Sequence, residues 1–241
     1  MAERLVGEEG HPKVRIGTSG YNYPHWGKGV FYPEGLPSSR WLEYYAERFD
    51  TVELNVTFYR LPPEKAFDGW YRRTPEGFGF SLKGSRFVTH LKRLEDVKEA
   101  VDLFFARAFR LCEKLLCVLW QLPPRFEASP RLLEEFVAIL PAEVRHAFEF
   151  RDRSWFCQEV FEILRSHNMG LCLADRPFRM SLARLNVLKC DNAKFQGDFP
   201  IDNEVGFIGS GVVGSGSISD GNFVTPALTA DFVYVRRHGL A

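Results

Sequence analysis

Short apolar runs alternate with longer amphipathic segments, and this alternation constrains the fold more than any other feature. The runs predict strands at residues 14–18, 51–56, 78–83, 115–121, 145–151, 170–175 and 231–237. Helical patterns separate them at 39–49, 63–73, 94–112, 130–140 and 156–168. Repeated strand–helix–strand units are typical of a parallel α/β sheet. Five or six such units favour a TIM-like (β/α) barrel, with a doubly wound sheet as the alternative. No GxGxxG fingerprint follows the first strand, which weakens the dinucleotide-binding version of that sheet.

The balance of charges limits the classes of partner. The chain of 241 residues has 31 basic and 31 acidic residues, so no global field favours nucleic acid or an anionic membrane. Binding of nucleic acid would therefore require a local basic patch. The five cysteines form no CxxC pair, which disfavours a zinc site or a disulfide framework. Since no apolar run could span a bilayer and no signal peptide is evident, we expect a cytoplasmic protein without a membrane partner.

Polar residues fall on one face of the predicted strands. Side chains alternate along a strand, so Glu53 and Asn55 share a face, as do Glu149 and Arg151. In a barrel the apolar face packs on helices, and the polar face points inward and ends at the C-terminal mouth, where barrel enzymes carry their chemistry. The same reasoning adds further residues at strand ends: Ser19, Lys83, Gln121, Asp175, Arg236 and His238.

Several long motifs in the right order resemble the YecE-like family, known as domain of unknown function 72. They are IGTSGYNYPHWGKGVFYPEGLP (16–37), WLEYYAERFDTVELNVTFYRLP (41–62), TPEGFGFSLKGSRFVTHLKRL (74–94), LWQLPP (119–124), FEFRDRSW (148–155) and DFVYVRRHG (231–239). The resemblance covers about residues 13–177 and 229–239. It implies a barrel-type fold and little about activity, because the family has no settled biochemical role.

Two departures from the family pattern concern the last part of the sequence. Residues 179–224, including GSGVVGSGSISDG, stand where the family has a short loop, and they predict a Gly/Ser-rich insertion before the seventh strand. The family's final helix and eighth strand are not found. We therefore expect one domain over residues 1–241 that lacks the last β/α unit. Unpaired edges on the first and seventh strands would favour self-association, unless part of the insertion, around 205–213, covers an edge.

The predicted mouth offers a candidate metal site. Glu149, Asp175 and His238 end three consecutive strands. Two carboxylates and an imidazole would suit a divalent metal that activates water. A hydrogen-bonded polar cluster without metal is the alternative, and no HxH or HExxH spacing decides between them.

The mouth also offers cations and a pair of carboxylates. Lys83, Arg151 and Arg236 would bind phosphate or carboxylate, or would pair internally with Glu53 and Glu149. The two glutamates could form an acid/base pair for glycoside hydrolysis, but we favour pairing of one with Lys83 and the other with Arg151. A Schiff-base role for Lys83 has no specific support.

Aromatic residues follow several strands. Tyr21, Tyr23, Trp26, Tyr59 and Trp155 would stack on a sugar or a base, or form a packed layer over the barrel. His90 follows the third strand closely enough to reach the mouth.

Together these residues predict an enzyme that acts on a phosphorylated or otherwise anionic small molecule, such as a phosphoester hydrolase. A sugar-directed isomerase or hydrolase and a non-catalytic ligand-binding module are the alternatives. The candidate catalytic residues are Glu53, Lys83, Glu149, Asp175 and His238. The candidate ligand-binding residues are Ser19, Tyr21, Asn55, Tyr59, His90, Gln121, Arg151, Trp155 and Arg236.

Overall fold

The computed structural model describes residues 14–174, 205–209 and 229–237. Its strands are β1 (Val14–Ser19), β2 (Thr51–Leu54), β3 (Gly79–Lys83), β4 (Leu115–Gln121), β5 (Arg145–Glu149), β6 (Gly170–Ala174), β7 (Val205–Gly209) and β8 (Val233–Arg237). Its α-helices are α1 (Trp41–Ala46), α2 (Val56–Tyr59), α3 (Glu64–Arg72), α4 (Lys98–Ala108), α5 (Pro130–Val137) and α6 (Gln158–Ser166). Short 3₁₀ segments lie at Pro24–Trp26, Ser38–Arg40, Phe109–Lys114 and Arg153–Trp155, and a π-helical turn lies at Phe87–Leu91. All seven strands predicted from the alternation are present.

Seven parallel strands form a curled sheet in the order β1-β2-β3-β4-β5-β6-β8. This confirms the predicted α/β fold with a parallel sheet. The eighth strand, β7, runs antiparallel to both β8 and β1 and closes the ring. The first and last parallel strands therefore have paired edges, and of the two expectations the one in which residues around 205–213 cover an edge is confirmed. The backbone groups of both edges pair with β7, which belongs to the insertion.

The strand β2 is shorter than the sequence pattern predicts. It ends at Leu54, and Val56 begins the helix α2 instead of continuing the strand. Thr57 stabilises this turn, because its hydroxyl donates to the carbonyl oxygens of Leu54 (2.9 Å) and Lys83 (2.7 Å). The early turn therefore ties the end of β2 to the end of β3.

The helices pack against the outward faces of the strands. The outer core includes the fully buried strand residues Val52, Phe80, Val118, Trp120 and Phe148. A separate, smaller apolar layer includes Cys117, Leu119, Ala147, Cys172 and Tyr234. The two clusters lie on opposite parities of the same strands, as predicted from alternation. Each large outer side chain contributes roughly 1.5–3 kcal/mol through its burial, so the outer layer dominates the stability of the fold.

The helices are short. The helix α5 follows Ser129, whose hydroxyl oxygen accepts the N–H of Leu132 (3.4 Å), and Pro130 occupies its first position. Its buried residues, Leu133, Phe136 and Val137, face the outer core. Among the described residues, none of the helices has the length and apolar composition needed to cross a membrane.

Candidate functional site

Glu53 is the last inward-facing residue within β2 and is almost completely buried. Its Oε1 accepts hydrogen bonds from the Ser19 hydroxyl (2.6 Å) and from Nη2 of Arg236 (3.0 Å). Its Oε2 accepts the hydroxyl of Tyr234 (2.6 Å). Burial, and then the charge of Glu53, raise the pKa of Tyr234 well above its ordinary value. The phenol therefore stays protonated and donates to the carboxylate.

Glu149 ends β5 and is equally buried. Its Oε1 accepts from Gln121 Nε2 (2.7 Å) and Arg151 Nε (3.0 Å), and its Oε2 accepts from Nη1 of Arg236 (2.6 Å). Burial alone would raise the pKa of Glu149. The charges of Arg236 and Arg151 and the hydrogen bonds from Arg151 and Gln121 outweigh burial and lower this pKa. Glu149 is therefore a fixed anion.

Arg236 joins the two carboxylates. Its side chain is 0% exposed, and those of Glu53 and Glu149 are each 1% exposed. A buried ion pair is tolerated only when its hydrogen-bonding groups are well satisfied, and the two guanidinium Nη groups meet this requirement here. Internal pairing, one of the two interpretations open from the sequence, is what the structure shows for Arg151 and Arg236. Of the expected pairing of one glutamate with Lys83 and the other with Arg151, the structure shows Glu149 with Arg151, and it pairs Glu53 with Arg236. We call this group the Arg236 network: Ser19, Glu53, Gln121, Glu149, Arg151, Tyr234 and Arg236.

Asn55 adjoins the Arg236 network through Ser19. Its Nδ2 donates to the Ser19 hydroxyl oxygen (2.8 Å) and lies 3.4 Å from the Ser19 carbonyl oxygen. The chain turns immediately after Ser19 at Gly20, whose φ of +96° favours glycine. The Gly20 N–H donates to the carbonyl of Glu53 (2.8 Å), which holds the end of β1 beside β2. The Oδ1 of Asn55 is buried and accepts no hydrogen bond from the described residues.

A second polar group lies at the end of β3. The ammonium of Lys83 lies 4.6 Å from the centre of the Phe58 ring, and the imidazole of His90 packs edge-on against the same ring at 5.0 Å. Burial, and after it the charges of Lys83, Arg86 and Arg151, lower the pKa of His90 to about 4. We call Phe58, Lys83, Arg86 and His90 the Lys83 cluster. Arg151 links the two groups, because it pairs with Glu149 and also acts on His90.

Two predicted tyrosines lie apart from both groups. Tyr21 is half-buried beside Tyr45, with ring centres 6.1 Å apart, and Trp70 and Arg73 of the helical layer influence its pKa. Burial raises that pKa above its ordinary value. Tyr59 is 76% exposed at the end of α2. The structure therefore places neither tyrosine in contact with the Arg236 network.

Trp155 and Trp26 belong to a packed aromatic layer. Trp155 is fully buried, stacks on Phe150 with ring centres 4.9 Å apart, and donates its indole N–H to the carbonyl of Phe126 (2.5 Å). Trp26 is buried beside Tyr23, with ring centres 5.0 Å apart. For these residues the structure favours the interpretation as a loop layer over the interpretation as a stacking platform for a ligand.

The predicted metal site includes two residues, Asp175 and His238, that lie outside the described residues. Both oxygens of its third member, Glu149, already accept hydrogen bonds. Within the described ranges, no group of three His, Cys, Asp or Glu residues is arranged to hold a metal ion.

The sequence patterns did not identify three members of the candidate site, which are Tyr234, Phe58 and Arg86. Tyr234 has the same parity as Arg236 two residues later, and this signal could have identified it. Phe58 and Arg86 follow strand ends in short helical turns, where neither parity nor motif indicates orientation.

Two surface cavities lie away from the mouth. One of about 260 Å³ is lined by residues that include Val97, Leu132 and Phe136. Another of about 470 Å³ is lined by residues that include Phe109 and Arg110. Neither includes a residue of the Arg236 network or the Lys83 cluster. The candidate site is therefore defined by convergent charge and not by cavity volume.

Comparisons of sequence give a consistent family. The family model described as "Protein of unknown function DUF72" matches residues 15–241. The chain is similar to UPF0759 protein YunF of Bacillus subtilis (strain 168), with 33% identity over 164 residues, covering 62% of this chain and 54% of that protein. It is also similar to UPF0759 protein YecE of Escherichia coli (strain K12), with 29% identity over 161 residues, covering 66% and 55%. The chain thus spans about half the length of these curated relatives.

Comparisons with solved structures also find proteins of the DUF72 family. The chain resembles a DUF72 family protein from Thermotoga maritima with a TM-score of 0.59 and 36% identity, over 67% of this chain and 64% of that chain. A DUF72 family protein from Enterococcus faecalis gives a TM-score of 0.57 at 19% identity, over 68% and 62%. The second likeness concerns the fold alone.

Proposed function

This chain belongs to the DUF72 family of proteins of unknown function, and we propose that it binds a small anionic ligand, phosphorylated or carboxylated, at the C-terminal mouth of a TIM-like barrel. The observation that carries the proposal is the position of two cations, Lys83 at the end of β3 and Arg151 just after β5, at the end of the sheet where His90 lies. Their charges, with that of Arg86, act on the imidazole of His90.

The two polar groups differ in what happens to their positive charge. In the Arg236 network, Arg236 is shared by two carboxylates at 2.6 and 3.0 Å. In the Lys83 cluster, the charges of Lys83, Arg86 and the adjoining Arg151 all act on the imidazole of His90. Arginine and lysine bind phosphate and carboxylate through charge-assisted hydrogen bonds, so cations gathered at one end of the sheet favour an anionic ligand.

The TIM-like assignment rests on the curled parallel sheet and on the place of its polar residues. Glu53, Lys83, Glu149 and Arg236 all lie in the C-terminal halves of parallel strands. Barrel proteins of this class bind ligands at that face, and many have a phosphate site there. This support is an analogy between folds.

Turnover has less support than binding. Glu53 and Glu149 each accept three hydrogen bonds from side chains, which restricts either as a nucleophile. A general acid in glycoside hydrolysis needs a raised pKa, whereas the pKa of Glu149 is lowered. The binding experiment below therefore also measures phosphoester hydrolysis, through the alcohol that hydrolysis would release.

The experiment is calorimetric titration of the protein with propyl phosphate. We expect Lys83→Met to weaken binding by about tenfold, the factor expected when one charge-assisted hydrogen bond is removed. The matched control is Lys98→Met, because Lys98 is exposed and pairs with Asp102 on α4 (2.6 Å). This control should bind as the wild type does.

A second measurement follows the His90 imidazole by NMR during the same titration. A bound anion offsets the cations, so the pKa of His90 should rise above its value of about 4. Release of propanol would reveal turnover. Absence of binding at millimolar propyl phosphate, or an equal loss in Lys98→Met, would contradict the proposal.

A further inference from the structure

The orientation of the Asn55 amide follows from the hydrogen bonds around it. The Ser19 hydroxyl has one proton, and that proton is donated to Glu53 Oε1 at 2.6 Å. Ser19 can therefore only accept from Asn55, through its hydroxyl oxygen and its carbonyl oxygen. Asn55 must direct its NH₂ group towards Ser19, as observed at 2.8 Å, and its Oδ1 must point the other way.

The usual local uses of such an oxygen do not apply. Asparagine before a helix often accepts a backbone N–H of the first turn, but the Asn55 side chain makes no such bond to α2. Within the part of the chain that the structure describes, the buried Oδ1 has no hydrogen-bond donor. A buried acceptor left in this state is costly, so it requires an external donor.

The register places this acceptor beside the cations. Leu54, the last residue of β2, pairs with Leu82 of β3, so Asn55 and Lys83 follow paired residues at the same end of the sheet. The hydroxyl of Thr57 donates to the carbonyl oxygen of Lys83 (2.7 Å) and holds the turn after Asn55 beside the end of β3. Neighbouring strands are about 5 Å apart, a distance that a ligand of three or four bonded atoms can span. One small molecule can therefore meet both residues.

We infer that the ligand carries, a few bonds from its anionic group, a hydroxyl or ammonium group that donates a hydrogen bond to Asn55 Oδ1. This inference rests on the proposed function and narrows its ligand to hydroxylated or aminated anions, such as polyol phosphates. An ordered water would satisfy Oδ1 equally well, and the experiment separates the two occupants.

The experiment compares glycerol 3-phosphate with propyl phosphate, which have the same chain length and anionic group and differ in two hydroxyls. We expect the wild type to prefer glycerol 3-phosphate by about tenfold, the factor of one good hydrogen bond. In Asn55→Leu the ratio of the two dissociation constants should fall to near one. Gln158→Leu, which removes an exposed amide on α6, is the control and should keep the ratio.

The outcomes are distinguishable. Equal binding of both probes by the wild type, with both weakened in Lys83→Met, would overturn the inference and leave the proposed function intact. A preference that survives in Asn55→Leu would also overturn it, because the donor would then be recognised elsewhere. Failure of both probes to bind would remove the proposed function and the inference together. If Asn55→Leu does not fold, Asn55→Ala replaces it, and the ratio of the two dissociation constants should again fall to near one.

Discussion

The Arg236 network and the Lys83 cluster adjoin at the same end of the sheet, but their charges are arranged differently. In the network, each glutamate oxygen has a donor, and the guanidinium of Arg236 is divided between two carboxylates. In the cluster, the charges of Lys83, Arg86 and the adjoining Arg151 act on an uncharged imidazole. The difference teaches that conspicuous charges at a strand end need not be functional. Charges that neutralise each other hold the strands, whereas cations gathered beside an uncharged ring can attract an anion.

The largest test of this contrast is Arg236→Met. Removing the shared cation leaves two buried carboxylates without their partner, and we expect a loss of about 3–5 kcal/mol in the free energy of unfolding. Urea denaturation followed by circular dichroism measures it. The control Arg131→Met removes an arginine whose side chain is 88% exposed and should leave the transition unchanged. A loss below about 1 kcal/mol would show that the network does not hold the strands.

A medium effect is expected from Glu149→Gln. This change removes a charge that accepts from Arg236 and Arg151, at a cost of about 2 kcal/mol at neutral pH. Because the folded pKa of Glu149 lies below its ordinary value of 4.5, its stabilising contribution is complete above that value. The contribution is lost as the pH falls from 4.5 through the lowered pKa.

The measurement is a series of urea titrations between neutral and acidic pH. The stability of the wild type should therefore fall more steeply below pH 4.5 than that of Glu149→Gln. Glu135→Gln, on the exposed side of α5, controls for the loss of one carboxylate. Parallel curves for the wild type and Glu149→Gln would argue against a strongly paired Glu149.

The smallest effect concerns the cluster and needs no ligand. In Lys83→Met the pKa of His90 should rise above about 4, because one of the three cations is removed. It should stay below 6.5, because burial is the largest cause of the shift and persists. NMR titration of the imidazole measures this pKa, with Lys98→Met as the control. An unchanged pKa would mean that Lys83 does not act on His90.

Local periodicity explains what the sequence predicts well. Alternation along a strand is a property of neighbouring residues, so the shared inward face of Glu53, Glu149 and Arg236 follows from their parity. The pairing of these residues does not follow, because it depends on the stagger between strands. Arg236 on β8 reaches Glu53 on β2 although 183 residues separate them.

Turns and loops explain what the sequence predicts poorly. Val56 fits a strand pattern by hydrophobicity, yet the hydroxyl of Thr57 bonds to the end of β3 and the chain turns into α2. Trp155 follows a strand as a ligand-stacking residue would, but contacts with Phe126 and Phe150 place it in the core. Such tertiary contacts override local patterns and leave no periodic trace.

The antiparallel direction of β7 determines at which end of the barrel each of its two neighbouring connections starts and finishes. Val205 lies level with Thr18 and Arg237, near the ends of strands that carry the candidate site, while Gly209 lies level with Val14 and Val233 at the opposite rim. The link from Ala174 to Val205 therefore starts and finishes on the side of the site. The link from Gly209 to Thr229, which holds most of the Gly/Ser-rich stretch, starts and finishes on the far side. Both ends of the first link therefore lie beside Arg236, whereas both ends of the second link lie at the rim remote from it.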